Sequence, residues 1–559
     1  MKRIQKTLPV MIAAIFSAGY NSASVADIQI TGSVDSSLVH QKFQTEGEGD
    51  EARDYQDRDT IQLSPSIVAT YTSKKLLAAA TANHLTQRIS IDEGSRTDSF
   101  TEFNYNGSLS IIDNVLQVYG QGSQGYQAFA PERYISTDFL LNSDDLTKTQ
   151  SHSVGASLTT TANRFVRMEL SAQYFTAESD SSLSDDGFTE AGLGIDSTGT
   201  SAAITLINSS WFRNMYWSLA ANTRESDRAS LGSFKSTTGN AQLGYNLVGD
   251  LGLIATASHQ EYTNDDDLSG GFGQFGGQFN RFTTYGVGLN YRPAAGRFFS
   301  ITANQISTDG EDDGKTFVGV STQWQFSPRT RIAADFGRRY YGESGSFSLN
   351  YGTRAARASI AYQEATTNYS SLIFDTADAG TFVCPAGAVD IIDCFQPDTL
   401  EYELQPGEQV VQFSEVISEL TDQVVLRKQL NGGFGFQRRK LKVSIDGRYA
   451  DTVYSEVDRK QIQKGVGINA SLAVGSRTNL TSRIQFSNIE TSSGVERNKL
   501  ANKIFTLGMQ NQLSQGLSVN AEIRYLDNDN EQGSVGSAFT LNETRISIGL
   551  TYQMRTKRN

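Results

Sequence analysis

The sequence predicts an all-β chain: a transmembrane antiparallel up-and-down β-barrel of about 24 strands (range roughly 20–26), with both termini on the periplasmic side. Three observations lead there. Apolar residues recur at every second position through almost the whole chain, the spacing of a strand with one apolar and one polar face. The segments are joined alternately by tight turns and by longer acidic or Gly-rich stretches. Composition fits the same class: 559 residues carry 50 Gly, 30 Phe and 23 Tyr against 8 Pro and 2 Cys, with a mean hydropathy of −0.37. No apolar run in the chain beyond its first residues approaches the length of a membrane helix, which argues against a helical membrane protein and leaves a half-apolar barrel open.

The N-terminus reads as an export signal. Lys2, Arg3 and Lys6 precede an apolar stretch from Leu8 to Ala18, and Ser24-Val25-Ala26 offers a small-residue cleavage site, giving a signal segment over 1–26 and a barrel over 27–554. The expected location is the outer membrane of a Gram-negative bacterium, in contact with its lipid and lipopolysaccharide. A formal net charge of −13 argues against nucleic acid as a partner. A soluble solenoid or a set of sandwiches would also alternate, yet would not explain the alternating connection lengths.

In chain order, Ile28, Ile30, Val34 and Leu38 begin the alternation, and Ile61, Leu63, Ile67, Ala69 and Tyr71 form the next stripe, broken at Ser73-Lys74-Lys75. Val154, Ala156 and Leu158 turn at Ala162-Asn163-Arg164 into Val166, Met168 and Leu170, and Leu243 and Tyr245 reverse at Gly249-Asp250 into Leu253 and Ala255. The stretch Thr330–Gln363 holds three stripes: Ile332, Ala334 and Phe336; Phe347, Leu349 and Tyr351; Ala356, Ala358, Ile360 and Tyr362. Ile468, Ala470 and Leu472 reverse at Gly475-Ser476-Arg477, and Ile546, Ile548, Leu550 and Tyr552 close the chain before a basic tail over 555–559. Tyr245, Tyr291, Phe326, Tyr351 and Phe436 stand beside tight turns, where an interfacial girdle belongs.

If the apolar stripes face lipid, the opposite parity lines the lumen. Arg331, Arg357, Lys442, Arg448, Arg483, Arg524 and Arg545 fall there, against Asp335, Asp446 and Glu522. Such a wall suits an anionic polymer, because guanidinium forks match carboxylates and a charged wall concentrates its counter-ion. Mixed charge is also what any polar barrel interior carries. Cys384 and Cys394, the only cysteines, lie in a Pro-containing connection over 366–422 and are expected to form a disulfide in an oxidising envelope; a redox or metal pair would want CxxC spacing and nearby His. That connection either folds into the lumen or caps the outer mouth.

Enzyme chemistry and cofactors are not expected. His40, His84, His152 and His259 lack metal-ligand spacing, and Ser151 and Ser153 point to the strand face opposite His152. The GxGxxG match at Gly271–Gly276 is followed by no helix pattern to hold a pyrophosphate.

Gly337-Arg338-Arg339-Tyr340-Tyr341-Gly342, followed by a strand, Tyr351-Gly352-Thr353-Arg354, a further strand and Tyr362-Gln363-Glu364, resembles the hallmark segment of the PEP-CTERM-system-associated outer-membrane proteins. These are β-barrel porins found beside exopolysaccharide gene clusters. The resemblance covers under a tenth of the chain. It implies a conduit for exopolysaccharide working with periplasmic polysaccharide-export proteins. A general diffusion porin and a non-conducting scaffold or adhesion barrel remain the alternatives, and the motif itself is equally compatible with a hairpin that pins strand register.

Overall fold

Side chains that alternate every second residue can bury neither face in a lone strand, and neighbouring strands satisfy the backbone only if the last pairs with the first. The computed structural model closes in that way. It describes residues 27–46, 56–91, 94–128, 138–141, 146–160, 165–180, 195–208, 214–229, 232–265, 281–294, 296–308, 311–368, 381–385, 408–412, 423–454, 458–494, 496–532 and 539–555. The export segment, the Gly271–Gly276 match and Cys394 lie outside the described residues, as does the side chain of Cys384.

Strands are numbered in chain order. β18 (Thr381–Pro385) and β19 (Glu408–Gln412) make a separate two-stranded hairpin, and the remaining 24 strands form one antiparallel ring. β1 (Asp27–Glu46) closes it, pairing with β2 (Gln56–Thr72) on one side and β26 (Phe539–Arg555) on the other, so that Leu38 lies opposite both Ile61 and Ile548.

Outward apolar stripes are exposed, while many inward neighbours are covered by the facing wall and the connections. Tyr525 in β25 (Leu517–Gln532) is 45% exposed and the adjacent Leu526 is 2% exposed. Along this strand the outward face from Leu517 to Tyr525 spans about 27 Å, of the order of the apolar band of an outer-membrane barrel once strand tilt is allowed for.

Two features break the symmetry of the ring. The wall is low at β15 (Thr330–Arg339), β16 (Gly342–Gly352) and β17 (Ala356–Thr367), which have 10, 11 and 12 residues where β1 has 20. The β15–β16 connection is a tight turn at Tyr340-Tyr341, although it lies on the side where the sequence predicts long loops; β3 (Leu76–Ile91) and β4 (Gly94–Ile112) are joined just as closely there.

The second is a sharp corner at β12 (Arg281–Ala294). A Cβ at Gly286 would stand 1.8 Å from Asn304 Oδ1, and one at Gly288 would stand 1.9 Å from the Ile301 carbonyl oxygen. Lacking Cβ atoms, these glycines let β11 (Leu251–Asp265) and β13 (Arg297–Thr308) fold toward each other, and Thr256 Oγ1 donates to Asn304 Oδ1 at 3.3 Å across Gly286. At one end of the bend Tyr216 of β9 (Met215–Arg228) meets Phe298 of β13 edge to face at 6.2 Å. On a flat sheet their strands would be about 19 Å apart. At the other end Asn368, just past β17, donates from Nδ2 to Ser226 Oγ of β9 at 3.0 Å, with both residues fully buried. The arc from β9 to β17 is thus drawn into a lobe of the lumen.

Candidate functional site

Strand parity marks out two unlike sectors of the inner wall. The charged sector runs from β20 (Val425–Arg438) to β26 and holds five of the seven basic residues expected in the lumen. Arg331 on β15 and Arg357 on β17 lie outside that sector, both exposed on the face opposite the apolar stripes. Lys442 and Arg448 sit on β21 (Leu441–Tyr454), and Arg448 lies over Gly465 of β22 (Arg459–Val474), where a Cβ would meet its Nε at 3.0 Å. Arg483 of β23 (Thr478–Ser493) donates from Nε to Asn469 Oδ1 at 3.0 Å, and Asn469 Nδ2 donates to Asp446 Oδ1 at 3.5 Å. Acid and base therefore form a ladder across three strands.

Arg524 and Arg545 differ from the others. They stand directly opposite each other on β25 and β26, an arrangement of like charges that destabilises a sheet unless something intervenes. Asp138, in the connection between β5 (Leu116–Ala128) and β6 (Leu146–Thr160), intervenes: its carboxylate accepts from Arg545 Nη2 at 2.9 Å and from Arg524 Nη1. Glu543 Oε1 accepts from Arg545 Nε at 2.9 Å and from Gln41 Nε2 at 2.7 Å. Burial opposes ionisation of Asp138, but the guanidiniums of Arg545 and Arg524 outweigh it and hold the carboxyl below its usual range.

The same turn is tied down elsewhere. The Phe139 ring packs 4.6 Å from Phe100, Gln87 Nε2 donates to the Phe139 carbonyl at 2.7 Å, and Arg58 Nη1 donates to the Leu140 carbonyl at 3.3 Å. This clasp, from β25–β26 across to β2–β5, was not legible in the sequence. The only signal for it is a pair of inward arginines with no carboxylate opposite.

The family-like segment forms the β15–β16 turn. Tyr340 hydroxyl bonds Thr366 Oγ1 at 2.6 Å and its ring packs 5.1 Å from Tyr262, which stacks on Phe234 of β10 (Gly232–Val248). Arg339 Nη1 donates to the Glu364 carbonyl at 2.8 Å, Arg338 is exposed, and Tyr341 lies under the Lys428 ammonium at 5.6 Å. Gly342 opens the next strand with φ of 120°, a conformation side chains resist. Burial pushes the phenols of Tyr340 and Tyr341 well up, so both stay protonated.

A second sector of the wall, along the inner faces of β9 to β14 (Glu311–Ser327), carries little charge. Register rows show this directly: Asn222, Thr238 and Gln260 lie side by side, then Ala220, Asn240, Ser258 and Thr284, then Ser218, Gln242, Thr256, Gly286 and Asn304.

The histidines are engaged locally: His40 with Asp59 at 2.8 Å, His84 with Thr101 at 2.8 Å, His152 with Tyr105 at 3.0 Å and His259 with Thr283 at 2.9 Å. Ser151 bonds Ser123.

A closed sheet with an exposed apolar belt and a polar interior belongs in a bilayer. The protein is an outer-membrane β-barrel. No protein-family model matches it, and no curated protein does. Among solved structures it is similar to the siderophore receptor PirA from Pseudomonas aeruginosa (9% identity, 94% of this chain and 80% of that chain, TM-score 0.36). It is also similar to the FrpB iron transporter from Neisseria meningitidis, F3-3 variant (9%, 94% and 82%, 0.41), and to a loop-deletion mutant of OmpT, an outer membrane protein of Vibrio cholerae (10%, 95% and 99%, 0.26). At these identities the likeness is one of barrel to barrel, and what those proteins carry is not transferred to this chain.

Proposed function

We propose that the barrel is a passage for exopolysaccharide across the outer membrane, supplied by export proteins on the periplasmic side. The observation that carries this reading is the inner wall of β9–β14, where hydroxyl and amide side chains replace charge over several register rows. A sugar chain needs many weak, exchangeable hydrogen bonds rather than a few strong ones, because it must leave as readily as it enters. The Arg-Arg-Tyr-Tyr turn, similar to the PEP-CTERM-associated segment, is consistent with the same role. Deleting the gene tests it: secreted and surface polysaccharide should be lost while uptake of small solutes is unchanged. The reverse result would favour a general diffusion pore, a reading to which the mixed-charge ladder Asp446–Asn469–Arg483 lends support. Absence of any ion conductance in planar bilayers would point to a scaffold.

A further inference from the structure

Resting on the polysaccharide reading for its biological sense, and measurable without it, we propose that the lobe bounded by β9–β17 is a saccharide-binding compartment selective for uncharged sugar chains. The basic wall across the lumen is the obvious place to seek a polymer site, and the lobe is better built for one. Its concave wall lines an open cavity of 840 Å³, within the roughly 300–1,000 Å³ of ligand sites.

Its floor is amide and hydroxyl. Asn222 and Asn240 are exposed to the lumen, flanked by Thr238, Gln242 and Ser258, and the Oε1 of Gln260 is buried with no hydrogen-bond partner. Each amide or hydroxyl side chain here can both donate and accept, and so can each hydroxyl of a sugar ring. The corner at Gly286 and Gly288 turns what would be a flat wall into a concave one, so several rows converge on the same space.

Charge is kept to the margins. Arg224 lies in the row of Ser236 and Tyr262 at the outer end, where Arg338 and Arg339 also line the cavity, and Asp335 lies in the row of Ser321 and Ser346 near the other, where Arg292 stands over the Tyr216 ring at 4.6 Å. The intervening rows on β9–β13 contain no carboxylate, ammonium or guanidinium. Aromatic pairs mark both ends of the lobe: Phe234, Tyr262 and Tyr340 at one, Tyr216 and Phe298 at the other. A carboxylated polymer lying along these intervening rows would leave its water for amide and hydroxyl partners that cannot neutralise it, which disfavours it. An uncharged chain suffers no such loss.

The test is saturation-transfer NMR on the full-length protein in detergent, with maltohexaose, cellohexaose and chitohexaose as uncharged probes and hexagalacturonate as the anionic one. At least one uncharged probe should bind, and hexagalacturonate should not. The double variant N222L/N240L, at exposed lumen positions, should weaken that binding at least about tenfold; Thr238→Val should weaken it less, and Arg483→Gln on the opposite wall should leave it unchanged. Heat-modifiable migration on gels establishes that each variant is folded. Binding of none of the uncharged probes, equal binding of hexagalacturonate, or indifference to N222L/N240L and Thr238→Val alike would overturn the assignment. A deletion strain that keeps its surface polysaccharide, alongside sugar binding lost in N222L/N240L, would instead remove the transport reading and leave the site standing.

Discussion

At the scale of residues, the clasp around Asp138 has the sharpest consequences. Two guanidiniums of low exposure share one carboxylate oxygen, so Asp138→Ala leaves both without their common partner. Breaking a buried pair from one side costs about 3–5 kcal/mol, and the loss falls on the turn rather than on the ring. The expected outcome is a larger and noisier single-channel conductance in planar bilayers, with the barrel still heat-modifiable. The pH dependence follows from the sign of the shift. Because the folded Asp138 carboxyl lies below its usual range, the clasp is fully held at neutral pH and down to the free-carboxylate value, and is lost as pH falls through the depressed one. Conductance recorded from pH 7 downward should therefore stay constant until strongly acid conditions; an opening transition near neutral pH would contradict the ion pair. Asp138 lies far in sequence from Arg524 and Arg545, and only closure of the ring brings them together.

At the scale of elements, the β12 corner and the β15–β16 turn differ in what they ask of the chain. A side chain at Gly288 would run into backbone, which cannot rotate away, whereas one at Gly120 would meet its nearest atom at 3.6 Å. Gly288→Ala should thus cost about 1–3 kcal/mol and lower the temperature of the gel-mobility transition, and Gly120→Ala should not. Tyr340→Phe removes one hydrogen bond, worth about 1 kcal/mol, and keeps the ring against Tyr262; Tyr340→Ala removes the ring as well and should loosen the outer end of the lobe, read as increased proteolysis at the β15–β16 turn. The strand stripes themselves were legible, because period two is a local property. The corner was not: Gly286 and Gly288 look like many other strand glycines until Thr256 and Asn304 are seen to meet above them.

For the whole molecule, the division of the lumen into charged and uncharged walls predicts unequal effects of equal charge changes. Neutralising the exposed Arg331 and Arg483 together should shift the reversal potential toward cations in a salt gradient. Neutralising Arg524 and Arg545 should shift it less, because Asp138 and Glu543 already offset them. Equal shifts from the two sets would mean that the clasp does not form in the membrane. On the outer face, Leu550→Arg at the middle of a lipid-facing stripe should destabilise the barrel by about 2–4 kcal/mol, seen as reduced folding into vesicles.

Sequence by itself determined the strand period, the closed antiparallel architecture and the even strand number, since all of these follow from alternation and from the need of every backbone group for a partner in lipid. It also placed Arg524 and Arg545 inside the ring without revealing that they are neutralised there. Tertiary structure alone decided which distant segments share the lumen: the Asp138 turn against β25–β26, Asn368 against Ser226, and Tyr340 against Tyr262. The physical reason is that strand parity is set by neighbours two residues away, whereas contacts across the interior depend on where a wall of 24 strands bends, and a bend is specified by side chains that are missing rather than by any that are present.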